Sequence, residues 1–232
     1  MHIPDGFLDP KLSGGLAGAA AVVLSYCLSR VSQAVTAVVP QAALASAGAG
    51  LSSINFGAKR IVTSFGSNLI SKTLAVAGLI FLLQMFDFQL LSGTPVHFLG
   101  GALAAILLGP FAGGLAMGGV VIIQALVFHD GGLTALGANL INMAVIGTFL
   151  AYNVYLFLKQ KFGEEAGIAA AAWFSVMAGA FTCALELSLS GTFAQSAIFL
   201  SAMKVYFLLG LGEAAVTVGL VQLLRSFLFK NQ

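Results

Sequence analysis

The chain has 232 residues, of which 59% are apolar and only 8% charged, with 28 glycines and a formal net charge of +2. That balance excludes a string of water-soluble domains and a nucleic-acid-binding surface, and points to one helical membrane domain spanning residues 1–232. Two cysteines, Cys27 and Cys183, stand in separate apolar runs, a pattern that offers neither a structural zinc site nor a disulfide framework.

The chain opens with Met1-His2-Ile3-Pro4-Asp5-Gly6-Phe7-Leu8. An imidazole at position two stands beside its own backbone amide and a terminal amine, a run of three nitrogens able to close small chelate rings on one ion. The ordinary alternative is a frayed terminus. No basic leading region or small-residue cleavage site precedes an apolar core, so this terminus is expected to survive into the mature protein. Pro4 and Gly6 suit a segment folding back on itself, one by fixing a dihedral and the other by freeing it. Residues 1–11 are therefore read as a metal-binding loop.

Apolar runs long enough to cross a bilayer follow at Leu12–Leu28, Leu69–Phe86, Phe111–Phe128, Leu136–Leu158, Gly167–Leu189 and Ile198–Leu224. A shorter run, Phe98–Gly109, ends at Pro110 in a sharp turn and is counted as a further span, giving seven. Between the first two runs, residues 35–68 hold Pro40, many small residues and the pair Lys59-Arg60, and read as a cytoplasmic insertion with a short interfacial helix. Small residues recur at helical spacing along the first run, at Gly14 and Gly18, Gly15 and Ala19, and Ala17 and Ala21, a stripe that admits a close neighbour in the bundle or in a partner.

Basic residues concentrate on the cytoplasmic side of membrane proteins. Arg30, Lys59, Arg60, Lys72, Lys159, Lys161, Arg225 and Lys230 all fall on one face of the seven-span arrangement, leaving only Lys11 and Lys204 elsewhere. The N-terminus is thus expected outside and the C-terminus in the cytoplasm of an all-α integral membrane bundle in the cell membrane. All three histidines, His2, His97 and His129, then lie at the outer face with Asp5, Asp9, Asp87 and Asp130.

Three nitrogens from the terminal dipeptide leave one corner of a square plane open, which His97 would fill; His129 is the other candidate. A planar nitrogen set favours nickel(II) or copper(II) over structural zinc, while cobalt(II) stays open. Asn139 and Asn142, three apart near the outer end of one span, are suited to hold the inserted loop or support a ligand imidazole, with helix-to-helix bonding the plain alternative. Asp130 is a further supporting candidate. Glu186 and Glu213 lie within spans, where a carboxylate is costly. Lys204 is the expected partner of Glu186; Glu213 is expected to be protonated or hydrogen-bonded and to fix packing.

The motifs MHIPDGFL, GTPVHFLGGALAAILLGP, DGGLTALGANLINM and GLGEAAVT, in that order, resemble the CbiM/NikM family, the substrate-binding components of energy-coupling factor transporters for nickel and cobalt. The resemblance covers essentially the whole chain. It implies a seven-span bundle with the N-terminal segment dipping into the core. It also implies a metal held by the Met1 amine, the His2 amide and imidazole, and His97. Partners implied are a transmembrane coupling component, two cytoplasmic ATPases and, in some systems, a small additional membrane subunit. The chain departs from the family's pattern at Tyr206, where a His is common, at His129, where a small residue is common, and in its longer insertion.

No Gly-rich loop ending in Gly-Lys-Ser or Gly-Lys-Thr is present, so ATP hydrolysis is assigned to partners, and no His-Glu-x-x-His pair suggests an intramembrane protease. The transported substrate is expected to be nickel, with cobalt next, and no organic cofactor is expected. A self-sufficient carrier or channel is the rival reading.

Overall fold

The computed structural model describes residues 2–40, 58–86, 88–90, 94–192 and 196–228. Met1, Asp87, Lys230 and residues 41–57, half of the 35–68 insertion, therefore lie outside the described residues. The rest is an all-α membrane fold. Helix α1 runs Pro10–Val35, α2 Ser64–Gln84, α3 Gly101–Phe128, α4 Leu136–Phe162, α5 Glu164–Leu189 and α6 Ser196–Leu228. In hydrocarbon every backbone N–H and C=O needs an internal partner, which long apolar helices provide within themselves. Large apolar side chains such as Val22, Leu74, Leu126, Phe157, Phe181 and Phe207 consequently stay on the outside of the bundle, where lipid covers them.

Among the described residues six helices, not seven, are long and apolar enough to cross a membrane. The remaining expected segment, Phe98–Gly109, holds the first arm of α3, which starts at Gly101. Gly109 leaves the helical region (φ 79°, ψ 168°) just before Pro110. A Cβ placed on Gly113 would lie 2.9 Å from the carbonyl of Ala104, whereas residues nine apart in a straight helix are separated by about 13 Å. The chain therefore doubles back, and an arm of this length is too short to span. Arg30, near the end of α1, sits 5.3 Å over the Phe111 ring and places this turn at the end of the bundle remote from His2. The arm is largely interior: Ala102, Leu103, Ala104 and Ala105 have no exposure, and the first three join Ile80, Met117, Met143 and Ile168 in the largest core cluster.

Helix ends follow local chemistry. Asp9 caps α1, its carboxylate accepting from the amides of Lys11 (2.9 Å) and Leu12 (3.2 Å) just ahead of Pro10. Thr63 caps α2, its hydroxyl accepting from the Gly66 amide at 2.9 Å. That cap moves the helix start to Ser64, so Ser64–Asn68, expected in the insertion, belong to α2. The flanks of the insertion pair as an antiparallel ribbon, β1 (Thr36–Pro40) with β2 (Ala58–Val62); residues 41–57 between them, where the short interfacial helix is expected, lie outside the described residues. A second ribbon, β3 (Phe88–Leu90) with β4 (Thr94–Val96), leads from α2 towards His97. Helices α3 and α4 each contain a wider π-type turn, at Gln124–Phe128 and Leu140–Ile146, both adjoining the segments that carry the site.

Candidate metal centre

The N-terminal loop is fastened into the bundle residue by residue. Asn139 clasps Ile3 from both sides, its Oδ1 accepting from the Ile3 amide (2.8 Å) and its Nδ2 donating to the Ile3 carbonyl (3.2 Å). The Gly132 amide donates to the same carbonyl at 2.8 Å. One side chain thus supplies the two bonds that a neighbouring strand would otherwise give. Asp5 accepts from the amide and hydroxyl of Thr134 (2.7 and 2.6 Å), which hold its carboxyl below the usual carboxylate range. Further along, the Thr192 hydroxyl donates to the Phe7 carbonyl and the Asp9 amide to the Ser190 hydroxyl. The Ile3 side chain is almost fully buried against Ala135, Ala138 and Leu187.

Two glycines make room for this loop. A Cβ on Gly132 would fall 2.3 Å from the Asp5 nitrogen and 2.6 Å from the Pro4 carbonyl carbon. Gly131 has φ +91° and packs directly on His2, where a Cβ would meet Nδ1 at 3.0 Å.

This fastening sets the His2 ring beside His97, with centroids 5.2 Å apart, and places Asp130 Oδ2 3.6 Å from His2 Nε2. One potential ligand atom from each of His2, His97 and Asp130 lies within 4.8 Å of the others. Both ring nitrogens of His2 are buried and, among the described residues, without a hydrogen-bond partner. Orphaned nitrogens in so polar a neighbourhood are costly, and a cation would satisfy them. Burial holds both imidazoles neutral, with the pKa of His2 lowered to about 2 and that of His97 to about 3. Neutral rings are the form that coordinates metals. His97 Nδ1 stands 2.9 Å from the Phe98 carbonyl, an arrangement in which Nδ1–H donates and Nε2 carries the lone pair.

The other expected residues separate cleanly. His129 is exposed and outside the cluster, at φ 56°, ending α3 in a left-handed turn that His tolerates better than most residues. Asn142 faces away from the loop, its Nδ2 donating to Glu186 Oε2 at 2.7 Å and its Oδ1 accepting from the Thr182 hydroxyl at 2.6 Å. Glu186 is thus bound to an amide instead of the expected Lys204, which is exposed. Glu213 is fully enclosed and hydrogen-bonded, its two oxygens accepting from the amides of Leu99 and Gly100, each at 2.7 Å.

Residues 40–228 match the family described as the cobalt uptake substrate-specific transmembrane region, CbiM. The chain belongs to the CbiM family. The matched range takes in His97, Asp130, Asn139 and Glu213. A fused nickel transport protein, NikMN, of Archaeoglobus fulgidus is 35% identical over 97% of this chain, which spans 66% of that relative's length. A metal transport protein of Haloquadratum walsbyi is 35% identical over 94% of the chain and 87% of its own length. The crystal structure of a truncated transition metal transporter superposes with a TM-score of 0.74 at 26% identity, covering 97% of this chain and 99% of that one. As a CbiM-family chain with six apolar helices of spanning length, the protein is a multi-pass membrane protein.

Sequence reasoning did not find Thr134, Ser190 and Thr192, which tie down the loop, or Gln84 and Gln124, which brace the segment after His97. The Gln84 side chain donates to the Leu99 carbonyl at 2.6 Å, and Gln124 donates to Gln84 Oε1 at 2.9 Å. Amides inside apolar runs were the available signal, since an intramembrane polar group needs a partner.

Proposed function

We propose that the protein is the metal-capturing component of an energy-coupled importer, binding nickel(II), with cobalt(II) next, at the outer face and passing it inward. The reading rests chiefly on the two buried nitrogens of His2, which have no hydrogen-bond partner among the described residues and face His97 and Asp130. The ligands are the Met1 amine, the His2 amide and Nδ1, and His97 Nε2. A chelate through the amide of residue two closes a small ring only with Nδ1, which leaves Nε2–H directed to Asp130. Asp130 thereby fixes the ring and raises its basicity, as carboxylates behind metal-bound imidazoles do. Four nitrogens in a plane suit nickel(II). The names of the relatives, nickel and cobalt transport proteins, agree with this substrate.

The end bearing the site is assigned to the outside because Arg30, Lys159, Lys161 and Arg225 gather at the other end. Release inward is coupled to a transmembrane partner and two cytoplasmic ATPases, as this chain carries no phosphate-binding loop.

Competitive titration of the purified protein with nickel, cobalt, copper and zinc, read by absorption spectrum, tests the site. Tight nickel binding with a planar signature is expected, and acetylating Met1 or adding one residue before it should abolish that binding with His2 intact. Tight binding that survives acetylation would reject this ligand set. Nickel uptake by vesicles holding this chain alone would reject the coupled mechanism in favour of a self-sufficient carrier.

A further inference from the structure

The segment that carries His97 has no regular structure of its own: residues 97–100 fall between β4 and α3. A ligand on such a segment is placed only as well as the segment is held. Its grip comes from two other helices. Glu213, in the middle of α6, takes the amides of Leu99 and Gly100, one on each carboxylate oxygen, both at 2.7 Å. Gln84, in the last turn of α2, takes the Leu99 carbonyl at 2.6 Å and is itself held by Gln124 of α3 at 2.9 Å. Glu213, Gln84 and Gln124 are all at or below 2% exposure, so water does not substitute for any of these bonds.

Gly100 needs this hold more than an ordinary residue would. It stands at φ +82°, and a Cβ there would meet Ile80 at 2.7 Å, so the backbone is turned sharply in a space only glycine fits. Gly101 follows against the Gly147 carbonyl in the middle of α4. The first arm of α3 begins at this point with amides that lack partners in their own helix, and Glu213 supplies the acceptors from a different helix.

We infer that Glu213, with Gln84 behind it, is a positioning residue for the metal site: it sets the reach of His97 towards His2 by clamping the Leu99 and Gly100 amides, and does not touch the ion. This rests on the reading of His97 as a ligand. It assigns a role to the carboxylate in the GLGEAAVT run that packing alone would not require, since any apolar residue packs. The geometry demands two acceptors side by side. An amide in the same place offers one acceptor and turns an NH2 group against a backbone N–H.

The test is nickel(II) titration of the full-length protein in detergent, with absorption spectra, for wild type, E213Q, H97A and the E213Q/H97A pair. E213Q is expected to weaken nickel binding at least tenfold and to move the spectrum towards that of H97A, whereas in the H97A background it should change neither affinity nor spectrum further. Such non-additivity is the mark of a residue acting through another. An E213Q protein that binds nickel with wild-type affinity and spectrum overturns the inference, and so does a loss that is equally large with and without His97, which would mark a general packing role. Should E213Q not fold, Q84M cuts the Leu99 carbonyl bond and takes its place in the same cycle, with the same two outcomes deciding. If H97A itself leaves nickel binding intact, it is the ligand assignment that fails, and the two failures are told apart.

Discussion

The two ends of the bundle are held together by different chemistry. At the site end, polar groups meet backbone amides and carbonyls: Asn139 on Ile3, Asp5 on Thr134, Glu213 on Leu99 and Gly100. At the far end, charges meet charges in water: Arg225 contacts Glu164 and donates to the Tyr155 hydroxyl (3.1 Å), and Lys159 donates to that same hydroxyl (3.2 Å). The first arrangement fixes main-chain position to within a hydrogen bond. The second tolerates variation, because exposed ion pairs are weak and adjustable. A metal site of small denticity needs the first, and the comparison is sharpened by breaking each end in turn.

The largest effect should come from the ligands. H97A removes the only ligand proposed from outside the N-terminal segment and is expected to weaken nickel binding roughly a thousandfold, about 4 kcal/mol, in a competition titration. The exposed His129, replaced by Ala, should leave the same titration unchanged; a damaging His129 change would move the fourth ligand. Next comes Gly132→Ala, whose new methyl group would collide with the backbone of Pro4 and Asp5. The loop has to shift bodily, and a loss on the order of a hundredfold in nickel affinity is expected, with a lower melting temperature of about the size seen for overpacked sites. Asn139→Leu leaves the buried Ile3 amide without an acceptor, a cost of about 1–3 kcal/mol. It should lower both metal affinity and the protection of that amide against hydrogen exchange.

These contrasts bear on what a sequence can disclose. The spans were legible because apolar runs announce themselves whatever they pack against, and Pro110 announced the turn that folds α3 into a short and a long arm. The inserted N-terminal loop was legible because Pro4 and Gly6 suit a segment that folds back on itself. The split of Phe98–Gly109 from the spans among the described residues was not, since an arm and a span share one composition and differ only in length. The Ser-rich start of α2 read as insertion because the Thr63 cap that converts it to helix is a single residue. Partnerships across the bundle were hidden altogether: Glu186 chose Asn142 over Lys204, and Gln84 and Gln124 found each other across 40 residues, with no periodic pattern to mark them.

The site end also responds to acid. In the folded protein His2 and His97 take up protons only near pH 2 and 3, against an ordinary 6.5 for an exposed imidazole. Between those values the unfolded chain binds two protons that the folded chain refuses, so stability falls as pH drops from about 6.5 towards 3. Thermal unfolding of the metal-free protein from pH 7.5 down to 5 should show that decline, and a His2→Ala variant should show a shallower one. An identical slope in the variant would mean that His2 is not sealed from solvent.

The smallest effect belongs to the far end. Arg225 and Glu164 are about one-third and one-half exposed, and Tyr155 and Lys159 remain to reorganise around whichever partner is left. Arg225→Ala is therefore expected to cost less than about 1 kcal/mol of stability, and less still at high salt. Nickel affinity should not change, because no bond in this cluster reaches the segments that carry His2 or His97. A large loss of metal binding in Arg225→Ala would mean that the two ends are mechanically coupled through α6, the helix that holds both Arg225 and Glu213. The separation drawn between a fixed site end and an adjustable far end would then have to give way to a single rigid unit.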